Sequence, residues 1–196
     1  MKLDGETSFL TAFDRDDRLP LGDFSGIPAG ARRLALIGCF RPRQCGIATF
    51  TADIHDHLRA ARPDLAIDVY AMRVRDNDAS DPAVVAGIDE PESDAYRAAA
   101  EAINASGADS VWLQHEFGIF GGPAGDLVLG LVDRLAAPLI VTFHTILAEP
   151  GPDQRRVMEH LVARAAKLVV MSAFGRDTLI DVYGAKAERI ELMRLA

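Results

Sequence analysis

Apolar residues along this chain fall into short runs that alternate with longer stretches in which they recur every three or four positions. The short β-branched runs predict seven strands, at residues 34–40, 66–72, 84–88, 110–114, 139–143, 168–171 and 190–193. The longer stretches predict five helices, at residues 48–61, 94–105, 125–135, 154–165 and 175–182. This alternation predicts an α/β fold with a doubly wound, mostly parallel, Rossmann-like sheet and helices on both of its faces.

Residues at the helix ends support these assignments. We expect Asp153 to cap the fourth helix, Ser172 to lie near the start of the fifth, and Gly184 to take the left-handed position after it. Residues 1–31 lack any regular period, and they contain five aspartates and two breaks rich in proline and glycine. The chain is therefore expected to consist of an irregular N-terminal extension, residues 1–31, and one domain, residues 32–196.

Composition narrows the range of partners and compartments. The net charge of −8 disfavours nucleic acid or an anionic membrane as the main partner. No apolar stretch approaches the ~20 residues that cross a bilayer, and the start of the chain is too acidic for a signal peptide. These features predict a cytoplasmic protein without a transmembrane segment, in which Cys39 and Cys45 are free thiols.

The first candidate site residues follow the first predicted strand. Gly46 opens the turn into the first helix, and Arg41 and Arg43 flank it. The amides at a helix N-terminus, beside two guanidinium groups, suit a phosphate or another anion. The alternative is that Gly46 only makes a tight turn and that the two arginines are solvated.

Two further predicted strands end in histidine. His144 follows the fifth strand and precedes Thr145, so an imidazole is expected at the mouth of the crevice beyond the sheet. There it can donate to a ligand oxygen or take part in proton transfer, unless it is a structural histidine bonded to a neighbouring loop.

His115 and Glu116 end the fourth strand, and a loop with apolar side chains and glycines follows them. Its residues Phe117, Gly121 and Gly122 can form a pocket wall or a closing flap. The alternative is that the aromatic side chains pack down beneath the loop.

Metal chemistry finds little support in the sequence. His55 and His57 are two residues apart on a predicted helix, so they do not face one site. Residues 76–78 read Asp-Asn-Asp and imitate a metal-binding motif of sugar transferases, but they lie in a polar loop rich in aspartate. We expect no metal and no cofactor.

Four segments together carry a resemblance to a known family. They are PRQCGIATFTADI (42–54), WLQHEFGIFGGPAGD (112–126), VTFHTILAEPGPDQRRV (141–157) and LVVMSAFGRDTLIDVYG (168–184). In order and spacing they resemble the amino-terminal domain of family 4 glycosyltransferases, in a subgroup similar to bacterial mannosyltransferase-like proteins. The resemblance implies one half of a GT-B architecture, in which this domain holds the acceptor and a carboxyl-terminal domain holds most of the nucleotide-sugar donor.

The resemblance also implies roles for the candidate residues. By the resemblance, His144 would contact the transferred sugar as the catalytic residue, and Gly46 would approach the donor diphosphate. From their positions beside these two residues, Arg41, Arg43 and Thr145 are also expected to bind donor phosphate and sugar. The acceptor side would be lined by His115, Glu116, Phe117, Gly121 and Gly122. The implied reaction retains the anomeric configuration and needs no metal.

Three functional hypotheses follow. The first is a glycosyltransferase domain that takes part in transfer of a hexose, with mannose as the candidate, from a nucleotide-sugar to a glycan or lipid-linked acceptor. It is expected to be inactive without a donor domain, which we expect to be absent from this chain and which a separate chain could carry. The second is a non-catalytic module that binds sugar or phosphate, and the third is a truncated remnant.

Overall fold

A computed structural model describes residues 26–73 and 81–193, so residues 1–25 of the predicted extension lie outside the described part. The strands are β1 Arg33–Gly38, β2 Ala66–Arg73, β3 Val84–Asp89, β4 Ser110–His115, β5 Leu139–Phe143, β6 Lys167–Val170 and β7 Ile190–Leu192. The helices are α1 Gly46–Ala61, α2 Ser93–Ser106, α3 Leu127–Val132, α4 Pro152–Arg164 and α5 Ala173–Tyr183.

The seven strands form a single parallel sheet in the order β3-β2-β1-β4-β5-β6-β7. The chain first winds outward from β1 to β3 and then returns to place β4 on the other side of β1. The winding direction therefore reverses between β1 and β4, and a crevice opens beyond the carboxyl ends of strands at such a reversal. This topology confirms the predicted Rossmann-like α/β fold.

Alternation along the strands separates the core into two layers. Ala35 and Ile37 of β1 face a cluster built with α2, α3, α4 and α5, whereas Leu34 and Leu36 face a second cluster that includes α1. Helices thus lie on both faces of the sheet, as predicted. Trp112 anchors the second cluster from the middle of β4, where its ring is fully buried and its indole nitrogen donates to the hydroxyl of Thr142 at 2.8 Å.

The predicted elements are present in the described residues, and their ends differ for physical reasons. β1 stops at Gly38 because the chain is already turning where the amide of Arg43 donates to the carbonyl of Phe40. α3 begins two residues later than predicted because Gly125 has a φ of +77°, and it ends at Val132. The prediction that Asp153 caps α4 is wrong, since the cap is Gly151 and Asp153 lies in the first turn.

The two ends of α5 confirm the other capping predictions. The hydroxyl oxygen of Ser172 accepts a hydrogen bond from the amide of Gly175 at 3.0 Å, and Gly184 adopts the left-handed conformation with a φ of 66°. α5 therefore starts directly beyond the carboxyl end of β6, and its first turn borders the crevice.

Candidate functional site

Three strand ends meet at the crevice, because β1, β4 and β5 are neighbours in the sheet. A Cβ on Gly38 would lie 2.9 Å from Cβ of Gln114, so β1 and β4 approach one another without a side chain between them. On the other side of Gln114, the ring of Phe50 from α1 meets the edge of the His144 ring, with centroids 4.8 Å apart. The structure thus brings the turn before α1 and the loop after β5 together.

His144 is held in one orientation by its neighbours. Its Nε2–H donates to Oε1 of Gln114 at 3.1 Å, its backbone amide donates to the carbonyl of His115, and Phe50 packs against its ring. Burial lowers the pKa of His144 from its usual 6.5 to about 4. The imidazole is therefore neutral at pH 7, and with a proton on Nε2 it presents the lone pair of Nδ1 as an acceptor.

Thr145 and Glu116 connect the loops that follow β5 and β4. The hydroxyl of Thr145 donates to Oε2 of Glu116 at 2.5 Å, and the amide of Phe117 donates to Oε1 of the same carboxylate at 2.9 Å. Both carboxylate oxygens thus accept hydrogen bonds from within the protein. Glu116 fixes the two loops against each other and leaves the oxygen of Thr145 as an acceptor.

Gly46 is the first residue of α1, which has sixteen residues. The thiol of Cys45 caps the helix by accepting from the amide of Ala48 at 3.4 Å. Apart from its chain neighbours and the backbone of α1, no described atom lies within 4 Å of the position where a Cβ would stand on Gly46. The first amides of α1 lack carbonyl partners within the helix, so this open end can receive an anion.

The two arginines beside this turn are paired with carboxylates. Arg41 forms a two-pronged pair with Asp56 at 2.8 and 3.0 Å and also donates from Nε to Asp81 at 2.6 Å, while Arg43 donates to Glu90. Hydrogen bonds from Arg41 lower the pKa of Asp56 to about 2. The guanidinium groups are therefore paired with carboxylates and still partly exposed, at 39% for Arg41 and 27% for Arg43, and they tie the turn to α1 and to the segments around β3.

His115 lies inside the core. It is completely buried, its ring lies between 5.1 and 5.8 Å from those of Phe117, Phe120 and Phe143, and neither ring nitrogen has a hydrogen-bond partner among the described residues. Burial lowers its pKa to about 3, with a smaller effect of His144. In this structure the side chain is closed off from any ligand, and Phe117 packs down on it.

Gly121 and Gly122 are explained by packing. A Cβ on Gly121 would stand 2.0 Å from the carbonyl oxygen of Glu90, and the amide of Gly121 donates to the hydroxyl of Tyr96 at 2.9 Å. Gly122 has a φ of +82°, and a Cβ there would stand 2.1 Å from Oδ1 of Asp126. The two glycines let the loop after β4 lie against α2 and α3.

A cavity of about 340 Å³ opens beside His144, between the loop after β5 and the start of α5. Besides His144 and Thr145 it is lined by Phe143, Ile146, Met171, Ser172, Phe174 and Gly175. The sequence analysis did not identify Gln114, Phe50 or the residues after β6 and at the start of α5 that line this cavity. Gln114 could have been recognised in the sequence, because it is a polar residue at the end of the apolar run of β4. No local sequence pattern distinguishes Phe50 or Phe174 from other apolar residues.

Metal and membrane features can be assessed only for the described residues. Residues 26–73 and 81–193 contain no cluster of three or more histidine, cysteine, aspartate or glutamate side chains that could hold a metal ion. The Asp-Asn-Asp sequence at 76–78 lies outside them. His55 and His57 bond separately, to the Asp56 carboxylate and the Asp53 carbonyl. No helix in the described ranges has the length and apolar character to cross a membrane.

Comparison with solved structures relates the fold to glycosyltransferases. The chain is similar to a glycosyltransferase from Rickettsia africae, with a TM-score of 0.53 and 14% identity over 83% of this chain and 43% of that one. It is also similar to an α-glucosyltransferase bound to UDP and a 13-mer DNA, with a TM-score of 0.51 and 14% identity over 73% of this chain and 38% of that one. The chain thus spans less than half the length of either structure.

No family model matches the sequence, and no curated protein matches it either. At 14% identity the two structures establish the fold. The chain has the Rossmann-like α/β domain found in these glycosyltransferases.

Proposed function

We propose that this chain is the amino-terminal, acceptor-side domain of a retaining GT-B glycosyltransferase related to family 4. It would take part in transfer of a hexose, with mannose as the candidate, from a nucleotide-sugar to a glycan or lipid-linked acceptor. The observation that carries the proposal is a neutral His144, held by Gln114 and Phe50 in the crevice beside the open end of α1. The sheet around this crevice has the fold of the two glycosyltransferases.

The residues of the crevice have distinct tasks in this proposal. Nδ1 of His144 accepts a hydrogen bond from a hydroxyl of the transferred sugar, and its neutral state avoids placing a second positive charge beside an oxocarbenium-like centre. The first amides of α1, starting at Gly46, approach the donor diphosphate. Thr145, whose hydroxyl hydrogen is directed to Glu116, accepts from a sugar hydroxyl.

Arg41 and Arg43 have a smaller part than the sequence suggested. Arg41 directs three of its five N–H groups to Asp56 and Asp81, and Arg43 directs one to Glu90, so these carboxylates offset the positive charge that a phosphate would meet. The amides and the dipole of α1 are therefore the main attraction that this chain offers to a diphosphate.

Departure of a nucleoside diphosphate requires stabilisation of its developing charge. We propose that most of it comes from a donor domain, carried by a separate chain or elsewhere in the same protein. By itself the present domain would transfer sugar slowly or not at all, and no metal or cofactor is invoked.

A glycan or lipid-linked acceptor fits the charge of the chain better than DNA does. The similar α-glucosyltransferase was solved with a DNA 13-mer, and DNA binding relies on neutralising phosphates with basic side chains. This chain has 21 lysines and arginines against 29 aspartates and glutamates. A cytoplasmic location is part of the same proposal.

The test is consumption of UDP-glucose and GDP-mannose by this chain, alone and mixed with proteins from neighbouring genes that carry a second Rossmann-like domain. We expect turnover only in a mixture, and a loss of about 100-fold in kcat for His144→Ala. His160→Ala is the matched control, because His160 bonds to Asp133 on the exposed surface of α4. Equal activity of both variants would overturn the proposal, as would no turnover either in any mixture or in a longer chain in which a second Rossmann-like domain from the same gene follows this one.

A non-catalytic module that binds sugar is the second candidate function. The pairing of Arg41 and Arg43 with carboxylates supports it, since the pairs reduce the positive charge that the turn offers to a diphosphate. This candidate predicts saturable binding of a glycan, weakened by His144→Ala, without turnover in any mixture. Measurable consumption of nucleotide-sugar would rule it out.

A further inference from the structure

Phe174 is an exposed aromatic side chain at the start of α5. Its side chain is 67% exposed, and Val85 at 55% is the other large hydrophobic residue this open in the described ranges. Phe174 lines the 340 Å³ cavity beside His144, which is open to solvent. None of the roles assigned above uses it.

The cavity has apolar walls from three segments. Phe143 ends β5, Ile146 follows in the next loop, and Met171 follows β6. α5 packs directly on the loop, because a Cβ on Gly175 would stand 2.9 Å from Cδ1 of Ile146. The volume of about 340 Å³ lies at the lower end of the range for small-molecule sites, about 300–1,000 Å³.

Polar groups of different kinds stand along the same lining. Nδ1 of His144 accepts, since Nε2–H is directed to Gln114. The oxygen of Thr145 accepts, since its hydrogen is directed to Glu116. The oxygen of Ser172 accepts from the amide of Gly175, so its hydroxyl hydrogen remains to donate. A ligand that suits this lining must both donate and accept at neighbouring positions.

We propose that this cavity, which we call the Phe174 cavity, binds one pyranose ring of the acceptor. The apolar C–H face of the ring lies on Phe174, and its hydroxyls bond to Ser172 and to the second lone pair of the Thr145 oxygen, while Nδ1 of His144 is left for the transferred sugar. Hydroxyls donate and accept at one atom, and a pyranose also has an apolar face, so a sugar matches both halves of the lining. The assignment to the acceptor rests on the proposed function, and it moves acceptor contacts from the loop after β4 to the loops after β5 and β6.

The experiment places ¹³C labels on methionine and isoleucine methyl groups and follows Met171 and Ile146 by NMR. The probes are methyl α-mannopyranoside, methyl α-glucopyranoside and methyl β-galactopyranoside, each added to the whole chain at millimolar concentration. We expect at least one glycoside to shift both methyl signals saturably. Phe174→Ala should weaken its binding about tenfold, and Phe174→Trp should restore it.

Val85→Ala is the matched control, because it removes the other exposed apolar side chain, on β3 at the far edge of the sheet. It should bind the glycosides as the unaltered chain does. Absence of shifts with every glycoside, or equal binding by Phe174→Ala, overturns the proposal and leaves Phe174 as a contact for another protein surface. Shifts with UDP-glucose or GDP-mannose alone overturn the assignment to the acceptor.

The result can be separated from that of the transfer assay. Glycoside binding that depends on Phe174, without turnover in any mixture, supports a sugar site while the proposed enzymatic function fails. Turnover that depends on His144, without glycoside shifts at Met171 and Ile146, supports the function and overturns the Phe174 cavity.

Discussion

His144 shows how one neighbour can decide the chemistry of an imidazole. The carboxamide oxygen of Gln114 only accepts, so the bond of 3.1 Å between them requires a proton on Nε2. Gln114 is itself fully buried, and its Nε2 has no hydrogen-bond partner among the described residues. A buried amide that leaves one donor unsatisfied has a cost in stability, and the side-chain bond that Gln114 does make holds His144 in place.

Replacing this amide by a carboxylate should raise the pKa of the imidazole. In Gln114→Glu the carboxylate would face Nε2 of His144 at hydrogen-bond distance and stabilise the protonated ring. We expect the pKa of His144 to rise above its present value of about 4, as measured by NMR titration of the ring protons.

Gln154→Glu is the control, because it makes the same change from amide to carboxylate at a side chain that bonds to the amide of Gly151 and not to His144. It should leave the His144 titration where it is. A His144 pKa that stays the same in Gln114→Glu would mean that the two side chains are not bonded in solution.

The strands and helices were predictable because the inner strands are short, nearly continuous apolar runs and the helices repeat their apolar residues every three or four positions. The ion pairs between residues far apart in the sequence were not predictable. Arg41 was expected beside a phosphate, yet it pairs with Asp56 and with Asp81, which lie 15 and 40 residues away. Arg43 likewise pairs with Glu90, 47 residues away. No local pattern identifies such pairs, so the sequence located the strand ends of the site but not the contacts of its charged groups.

The loop between β4 and α3 permits a direct test of packing against ligand binding. Gly121→Ala would push a methyl group to 2.0 Å from the Glu90 carbonyl oxygen, and overpacking of this kind costs about 1–3 kcal/mol. Gly118→Ala, in the same loop, meets no atom within 4 Å. Urea unfolding should therefore show a clear loss of stability for Gly121→Ala and almost none for Gly118→Ala.

Equal stability of the two variants would contradict the structural role of Gly121. The loop would then keep its second glycine for another reason, and the original expectation of a flap on the acceptor side would regain support.

The whole molecule responds to acid through its buried histidines. His115 and His144 have pKa values of about 3 and about 4 in the folded chain, against an ordinary 6.5 in the unfolded one. As pH falls below 6.5, the unfolded chain takes up protons that the folded chain refuses, so the free energy of unfolding falls. The loss continues to about pH 4 for His144 and about pH 3 for His115, at up to about 1.4 kcal/mol per pH unit for each.

His115→Leu should change both the level and the slope of this dependence. Leucine fills the space among Phe117, Phe120 and Phe143 without unsatisfied nitrogens, so we expect a gain of about 1 kcal/mol near pH 7. Between about pH 6.5 and pH 5 the fall in stability should be roughly half as steep, because one of the two neutral histidines is gone. Urea unfolding at several pH values measures both quantities.

Phe120→Leu separates packing from titration in the same cluster. Its ring stacks on that of His115 with centroids 5.8 Å apart, so the change alters packing there but removes no titrating group. This variant should lose stability at every pH and keep the full slope, since His115 and His144 both remain. If His115→Leu also kept the full slope, His115 would have to be accessible to protons in the folded chain. The strand end that the sequence marked as part of the acceptor site would then open to solvent after all.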